Sequence, residues 1–114
     1  GRNWQLIKKV KEYINNNITD DISLENVVSI SGMSSSHFSR VFKEETGSTF
    51  VEYLNSVRIE KAKHLLESTE YKIKEISEMV GFRNQTYFIT TFKNMTGMTP
   101  NNYKSIYLWK KSEH

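Results

Sequence analysis

Leu24-x-x-Val27-x-x-Ile30-x-Gly32, followed by Phe38-x-x-x-Phe42-Lys43-x-x-Thr46-Gly47-x-Thr49, is written twice in this chain. It returns as Ile73-x-x-Ile76-x-x-Met79-x-Gly81, followed by Phe88-x-x-x-Phe92-Lys93-x-x-Thr96-Gly97-x-Thr99. The first half of the pattern recurs at an offset of 49 residues and the second at 50, so the second turn holds one extra residue, around Arg83. Self-similarity at a fixed period is evidence of architecture, because each copy must be one supersecondary unit. Each copy here is a short apolar-periodic helix, a turn opened by glycine, and a second helix with aromatics four apart. That is the sequence form of a helix-turn-helix. Two in one chain suggest a monomer built to do what a dimeric repressor does.

The flanking sequence extends the helical reading. Trp4, Leu6, Ile7, Val10, Ile14 and Ile18 recur at three-to-four-residue spacing and predict an amphipathic first helix, frayed at Asn15-Asn16-Asn17 and followed by a turn at Asp20-Asp21. Ser23 is placed to cap the second helix, with Leu24, Val27 and Val28 inward, and Ser31-Gly32-Met33 breaks it. Ser34 caps a third helix over 35–46, and Gly47 supplies its left-handed end. Thr49-x-x-Glu52 is a capping box opening a fourth helix over 50–67. There Phe50, Tyr53, Leu54, Val57, Ala62, Leu65 and Leu66 read as one stripe shared by two cores. In the second copy Asn84 stands fifty residues after Ser34 as the cap, and Thr99-Pro100 puts the only proline at a helix's first position. The expected fold is all-α, about seven helices, with helix-turn-helix segments at 24–46 and 73–96 inside a domain spanning 4–107. Residues 108–114 read as a frayed tail.

Composition narrows the function. Residues 1–57 hold six basic and seven acidic side chains, residues 58–114 ten and six, for a net charge of +3. This mild, uneven basicity fits a nucleic-acid partner without demonstrating one. With no cysteine there is no disulfide frame, thiol nucleophile or thiolate metal site. No apolar run approaches a membrane span and no signal peptide opens the chain, so a soluble cytoplasmic protein is expected. The opening Gly1-Arg2, without an initiator Met, suggests a tag remnant and a cut from something longer. Three scattered histidines, no framed acid pair and no glycine-rich phosphate loop argue against an enzyme, a cofactor or a metal.

The fourth helix reads as a ruler. About eighteen residues at ~1.5 Å rise make ~27 Å of rod. Two recognition helices at the ends of such a rod would sit close to one turn of B-DNA apart, ~34 Å.

The most specific stretches are Phe38-Ser39-Arg40-Val41-Phe42-Lys43-Glu44-Glu45-Thr46-Gly47, Arg58-Ile59-Glu60-Lys61-Ala62-Lys63-x-Leu65-Leu66, and the run from Ile76 through Val80-Gly81-Phe82 and Gly97-Met98-Thr99-Pro100 to Tyr103. Together they resemble the DNA-binding domain of the AraC/XylS family of bacterial transcription regulators, over residues 4 to about 107. The resemblance implies a sequence-specific regulator, often an activator, whose partners are double-stranded DNA and RNA polymerase. It also implies a separate sensing or receiver domain on the N-terminal side. The opening Ile7-Lys8-Lys9-Val10-Lys11-x-Tyr13-Ile14 is similar to that of two-component response regulators of this family.

In the first reading helix Phe38 and Phe42 face inward with Val41 alongside, leaving Ser35, Ser36, Ser39, Arg40 and Lys43 outward. Positions matching the family's base contacts fall on Ser36, Ser39 and Arg40. A guanidinium can fork onto guanine O6 and N7, and a serine can hydrogen-bond several base edges. Lys43 suits a phosphate clamp better than a base contact, with plain solvated charge as the alternative. The plainer alternative for Arg40 is an exposed pair with Glu44, four residues on. His37, with no second ligand at a suitable spacing, suits a backbone or phosphate contact better than a metal. In the second helix Gln85, Thr86, Ile89 and Thr90 form the outward face, with Lys93 matching Lys43 and Arg83 in the turn. Gln suits adenine, and Ile and Thr methyls suit thymine. Thr90 stands where the first helix has Arg40, which puts guanine reading by the second motif in doubt. A helical protein-interaction module and an architectural DNA binder remain the rival readings; the latter expects a more basic surface and apolar wedges.

Overall fold

The computed structural model describes residues 2–112, and every regular element among them is a helix. These are α1 (Arg2–Asn16), α2 (Leu24–Ser31), α3 (Ser35–Thr46), α4 (Phe50–Ser68), α5 (Ile73–Met79), α6 (Gln85–Thr96) and α7 (Pro100–Ser112). The chain divides into two compact units, Gly1–Val57 and Arg58–His114, and the division falls inside α4.

Local chemistry sets the helix boundaries. The Ser23 hydroxyl accepts from the Asn26 N–H at 3.1 Å, Ser34 from His37 at 3.2 Å, and the Asn84 side chain from Tyr87 at 3.0 Å. Each cap satisfies an amide the helix itself cannot, worth about 1 kcal/mol. At the start of α4 the Thr49 hydroxyl accepts from the Glu52 N–H at 3.1 Å, while the Glu52 carboxylate accepts from the Thr49 N–H at 2.9 Å. α5 has half of that device: Glu75 accepts from the Lys72 N–H at 3.0 Å, but an ammonium cannot accept in return. Gly47 and Gly97 end α3 and α6 at φ 81° and 87°, each N–H bonding the carbonyl of Lys43 or Lys93 at 2.8 Å. A side chain there would strain the left-handed backbone. The Asn15 and Asn17 amides bond the carbonyls of Lys11 and Tyr13 at 2.9 Å, so the expected fraying is replaced by a closed last turn.

The first unit packs Ile7, Val10 and Ile14 of α1 against Val27, Phe38, Val41, Phe42, Phe50 and Leu54. Phe42 meets Phe50 and Tyr53 edge-on, with ring centroids 6.0 and 5.7 Å apart, and Lys11 lies 5.5 Å over the Tyr53 ring. The second unit packs Ile59, Ala62 and Leu66 of α4 against Ile76, Val80, Phe82, Phe88 and Phe92. Phe92 meets Tyr103 edge-on at 5.6 Å, and Lys63 lies 6.0 Å over the Tyr103 ring.

These parallels show that the repeat is larger than a helix-turn-helix. Ile7, Val10, Lys11 and Ile14 correspond to Ile59, Ala62, Lys63 and Leu66, each 52 residues on. The second half of α4 therefore does for the second core what α1 does for the first.

Three expectations need correction. The apolar stripe of α4 is not one face shared by both cores. Phe50 and Leu54 belong to the first core, Ile59, Ala62 and Leu66 to the second, and Leu65 is only half-buried. Trp4, placed on the inward stripe of α1, is 54% exposed. The expected frayed tail is helical through Ser112. Lys110 and Lys111 sit in its last turn, where positive charge complements the partial negative charge of a helix C-terminus. Glu113 and His114 lie outside the described residues.

Candidate nucleic-acid interface

The outward face of α3 follows from how the helix is anchored. Phe38, Val41 and Phe42 are buried, and with 3.6 residues per turn this drives Ser35, Ser36, Ser39, Arg40 and Lys43 outward, all of them exposed. His37 is exposed as well, and among the described residues no group of His, Cys, Asp and Glu is assembled to hold a metal. Arg40 Nη1 stands 3.7 Å from Glu44 Oε1, with the two side chains 65% and 62% exposed. A long, solvated pair of this kind contributes well under 1 kcal/mol and leaves most of the guanidinium's donors free.

α6 presents the second face. Phe88, Thr91 and Phe92 are buried, while Gln85, Thr86, Thr90 and Lys93 are exposed. Ile89 departs from its sequence assignment: it is half-buried and packs on the second core, so only part of its side chain is outward. Arg83 is exposed in the turn before α6. Next to it Phe82 is 3% exposed and packs on Phe88 with centroids 5.2 Å apart. The inserted residue is thus tethered by the buried ring before it and the Asn84 cap after it. Arg58, also unassigned in the sequence reading, is buried with its guanidinium 5.7 Å over the Phe82 ring.

The two faces differ in charge. α3 carries Arg40 and Lys43 together with Glu44 and Glu45, whereas α6 has Lys93 as its only charged side chain. Lys43 also contributes to holding the Glu52 carboxyl below the usual carboxylate range, behind the hydrogen bonds from the Thr49 N–H and hydroxyl. Beside the α3 face lies an open cavity of about 510 Å³, lined by Leu24, Phe50 and Val51 together with Arg40, Lys43 and Glu44. Sequence periodicity gave no signal for it, since Val51 lies off the core-facing stripe. No helix among the described residues is long and apolar enough to cross a membrane.

With this geometry established, the comparisons with known proteins agree on its kind. The helix-turn-helix domain family matches residues 27–106. The C-terminal domain of the two-component response regulator yesN from Fusobacterium nucleatum is 40% identical, over 88% of this chain and 95% of that one, with a TM-score of 0.79. The C-terminal domain of AraT, a response regulator from Geobacillus stearothermophilus, is 38% identical, over 89% and 84% of the two chains, with a TM-score of 0.84. The bifunctional transcriptional activator/DNA repair enzyme AdaA of Bacillus subtilis is 40% identical over 97 residues, 85% of this chain and 46% of that protein. The chain spans less than half the length of the curated relatives it matches first. The duplicated motif, the two aromatic-anchored helices and these matches together place the chain in the AraC/XylS family of helix-turn-helix transcriptional regulators, as a DNA-binding domain.

Proposed function

We propose that α3 and α6 are recognition helices that read two adjacent major-groove segments of one duplex. The observation that carries this reading is the repetition of one design. In both copies two phenylalanines four apart are fully buried, and the opposite face offers exposed hydrogen-bonding side chains with a lysine at the same position. A packing helix would not need that polar face twice. In α3, Arg40 forks onto a guanine with Ser36 and Ser39 on neighbouring base edges, and Ser35 lies at the helix's first turn. Lys43 and Lys93 clamp phosphates at equivalent positions, and Arg83 does so from the turn. In α6, Gln85, Thr86, Thr90 and the free edge of Ile89 read an A/T-rich segment. A protein-interaction bundle accounts for the cores and caps but not for this face.

The whole protein is read as a cytoplasmic, non-enzymatic activator of transcription that engages RNA polymerase. Its DNA-binding domain answers to an N-terminal sensing or receiver domain. The solved domains of AraT and yesN, both C-terminal domains of response regulators, support the receiver alternative. The repair activity in the name of AdaA belongs to that protein, of which the match covers 46%.

Selection of this chain on a randomised duplex library, with binding measured against salt, tests the reading. Enrichment of two half-sites spaced about one helical turn apart is expected. Five base pairs inserted between them should collapse affinity. Equal binding of every duplex would make the chain an architectural DNA binder, and no binding at all would return it to the protein-interaction class.

A further inference from the structure

The Arg40–Glu44 pair lies on the reading face, and its distribution between the two copies is informative. Fifty residues on, Arg40 is replaced by Thr90 and Glu44 by Asn94, while Lys43 is kept as Lys93. The cation and the carboxylate are present together or absent together, whereas the phosphate-facing lysine does not depend on either. Glu45, next along the helix and also exposed, makes no ion pair among those the described residues form.

We infer that Glu44 is a specificity-determining residue: it holds Arg40 for a base and away from the phosphates. The inference rests on α3 being a recognition helix. A guanidinium has five N–H donors, of which a guanine takes two, through O6 and N7. The Nη1 group 3.7 Å from Glu44 can stay with the carboxylate while the remaining donors fork onto the base. On a duplex without that guanine, Arg40 would gain most by swinging to a phosphate. Glu44 competes for it there, and its own charge faces the backbone if Arg40 leaves. The pair therefore costs little on the cognate site and penalises non-cognate DNA. Thr90 carries no charge to misdirect, so α6 needs no such carboxylate.

The test compares Glu44→Gln with the charge-matched control Glu45→Gln, each made also in an Arg40→Ala background. Binding is measured to the duplex selected by the unmodified chain and to random duplex. Both single variants should tighten random binding by removing one negative charge. Only Glu44→Gln should lower the specific-to-random ratio further, by up to about fivefold, the ratio an exposed ion pair of this strength can supply. That extra loss should vanish without Arg40. Identical behaviour of the two variants, or an extra loss that persists in the Arg40→Ala background, overturns the role of Glu44 and leaves the recognition helix standing. If the unmodified chain selects no sequence, the recognition-helix reading fails, and the role of Glu44 fails with it.

Discussion

The Tyr103 hydroxyl donates to the Glu67 carboxylate, joining α7 to α4 across 36 residues of sequence. The position that corresponds to Glu67 in the first unit is differently used. Asn15 stands 52 residues before Glu67, and its amide bonds the Lys11 carbonyl instead.

This clasp has a pH signature. Burial, then the hydrogen bond to Glu67 and the charge of that carboxylate, push Tyr103 up to about 12 from its ordinary 10.0. A raised pKa in the folded state favours folding while the tyrosine is protonated. The stabilisation is therefore complete below about pH 10 and is lost as pH rises toward 12. Tyr103→Phe keeps the ring against Phe92 and removes the hydroxyl. It should cost about 0.5–1.5 kcal/mol at neutral pH and flatten the stability loss between pH 10 and 12. An alkaline limb unchanged in this variant would show that another group titrates.

Acid should act on the other unit. Hydrogen bonds from the Thr49 backbone and hydroxyl lower the Glu52 pKa from 4.5. A depressed pKa stabilises the fold above 4.5, and that contribution disappears as pH falls through the lower folded value. The equivalent cap of α7 has Asn102 donating to the Thr99 hydroxyl at 3.2 Å and no carboxylate. The chain's two tryptophans fall one in each unit, Trp4 in α1 and Trp109 in α7. In acid titrations of Trp4→Phe and Trp109→Phe variants, the Trp4 signal should shift in a Glu52-dependent way. Glu52→Gln, which keeps an acceptor without a charge, should remove that dependence and leave the Trp109 signal alone.

The two cores should weaken separately. Leu54→Ala and Leu66→Ala each remove a fully packed side chain and should cost about 2–5 kcal/mol. The first should appear in hydrogen exchange of α1–α3 and the second in that of α5–α6. Leu65, half-buried, should cost roughly half as much or less on the same scale. Equal protection losses in both units from Leu54→Ala would mean that the cores melt as one.

On DNA the two reading helices should prove unequal. Arg40→Ala should cost about 1–3 kcal/mol on the selected site and relax one base position. Lys43→Ala and Lys93→Ala should each weaken specific and random duplex alike and reduce the salt slope by about one. Thr90→Ala should do less than Arg40→Ala, since a hydroxyl and a methyl discriminate more weakly than a charged fork. A half-site under α6 more stringent than the one under α3 would reverse the assignment.

The caps, the glycine stops and the aromatic anchors were legible in the sequence because each is a local device: Ser34, Gly47 and Phe38 act within a turn or two. What escaped was set by tertiary cover. Between Leu54 and Ile59 the first core gives way to the second, so a stripe that looks continuous along α4 is divided between two covers. Periodicity marks a face but not where its cover ends, hence Trp4 outside and Ile89 partly in. The α1 repeat carried a signal, Lys9-Val10-Lys11-x-x-Ile14 against Lys61-Ala62-Lys63-x-x-Leu66. It was hidden by its offset of 52 residues, which differs from that of the motifs. The cavity beside Arg40 depends on three helices meeting and has no linear trace.

α3 and α6 are each 12 residues long, opened by a side-chain cap and stopped by a left-handed glycine. That equality puts the two exposed faces in register: position for position, the lettering of one can be transferred to the other, except at Ile89, which packs on the second core. A new target for such a domain can then be reached one helix at a time, by rewriting a few outward side chains on a scaffold that does not register the change.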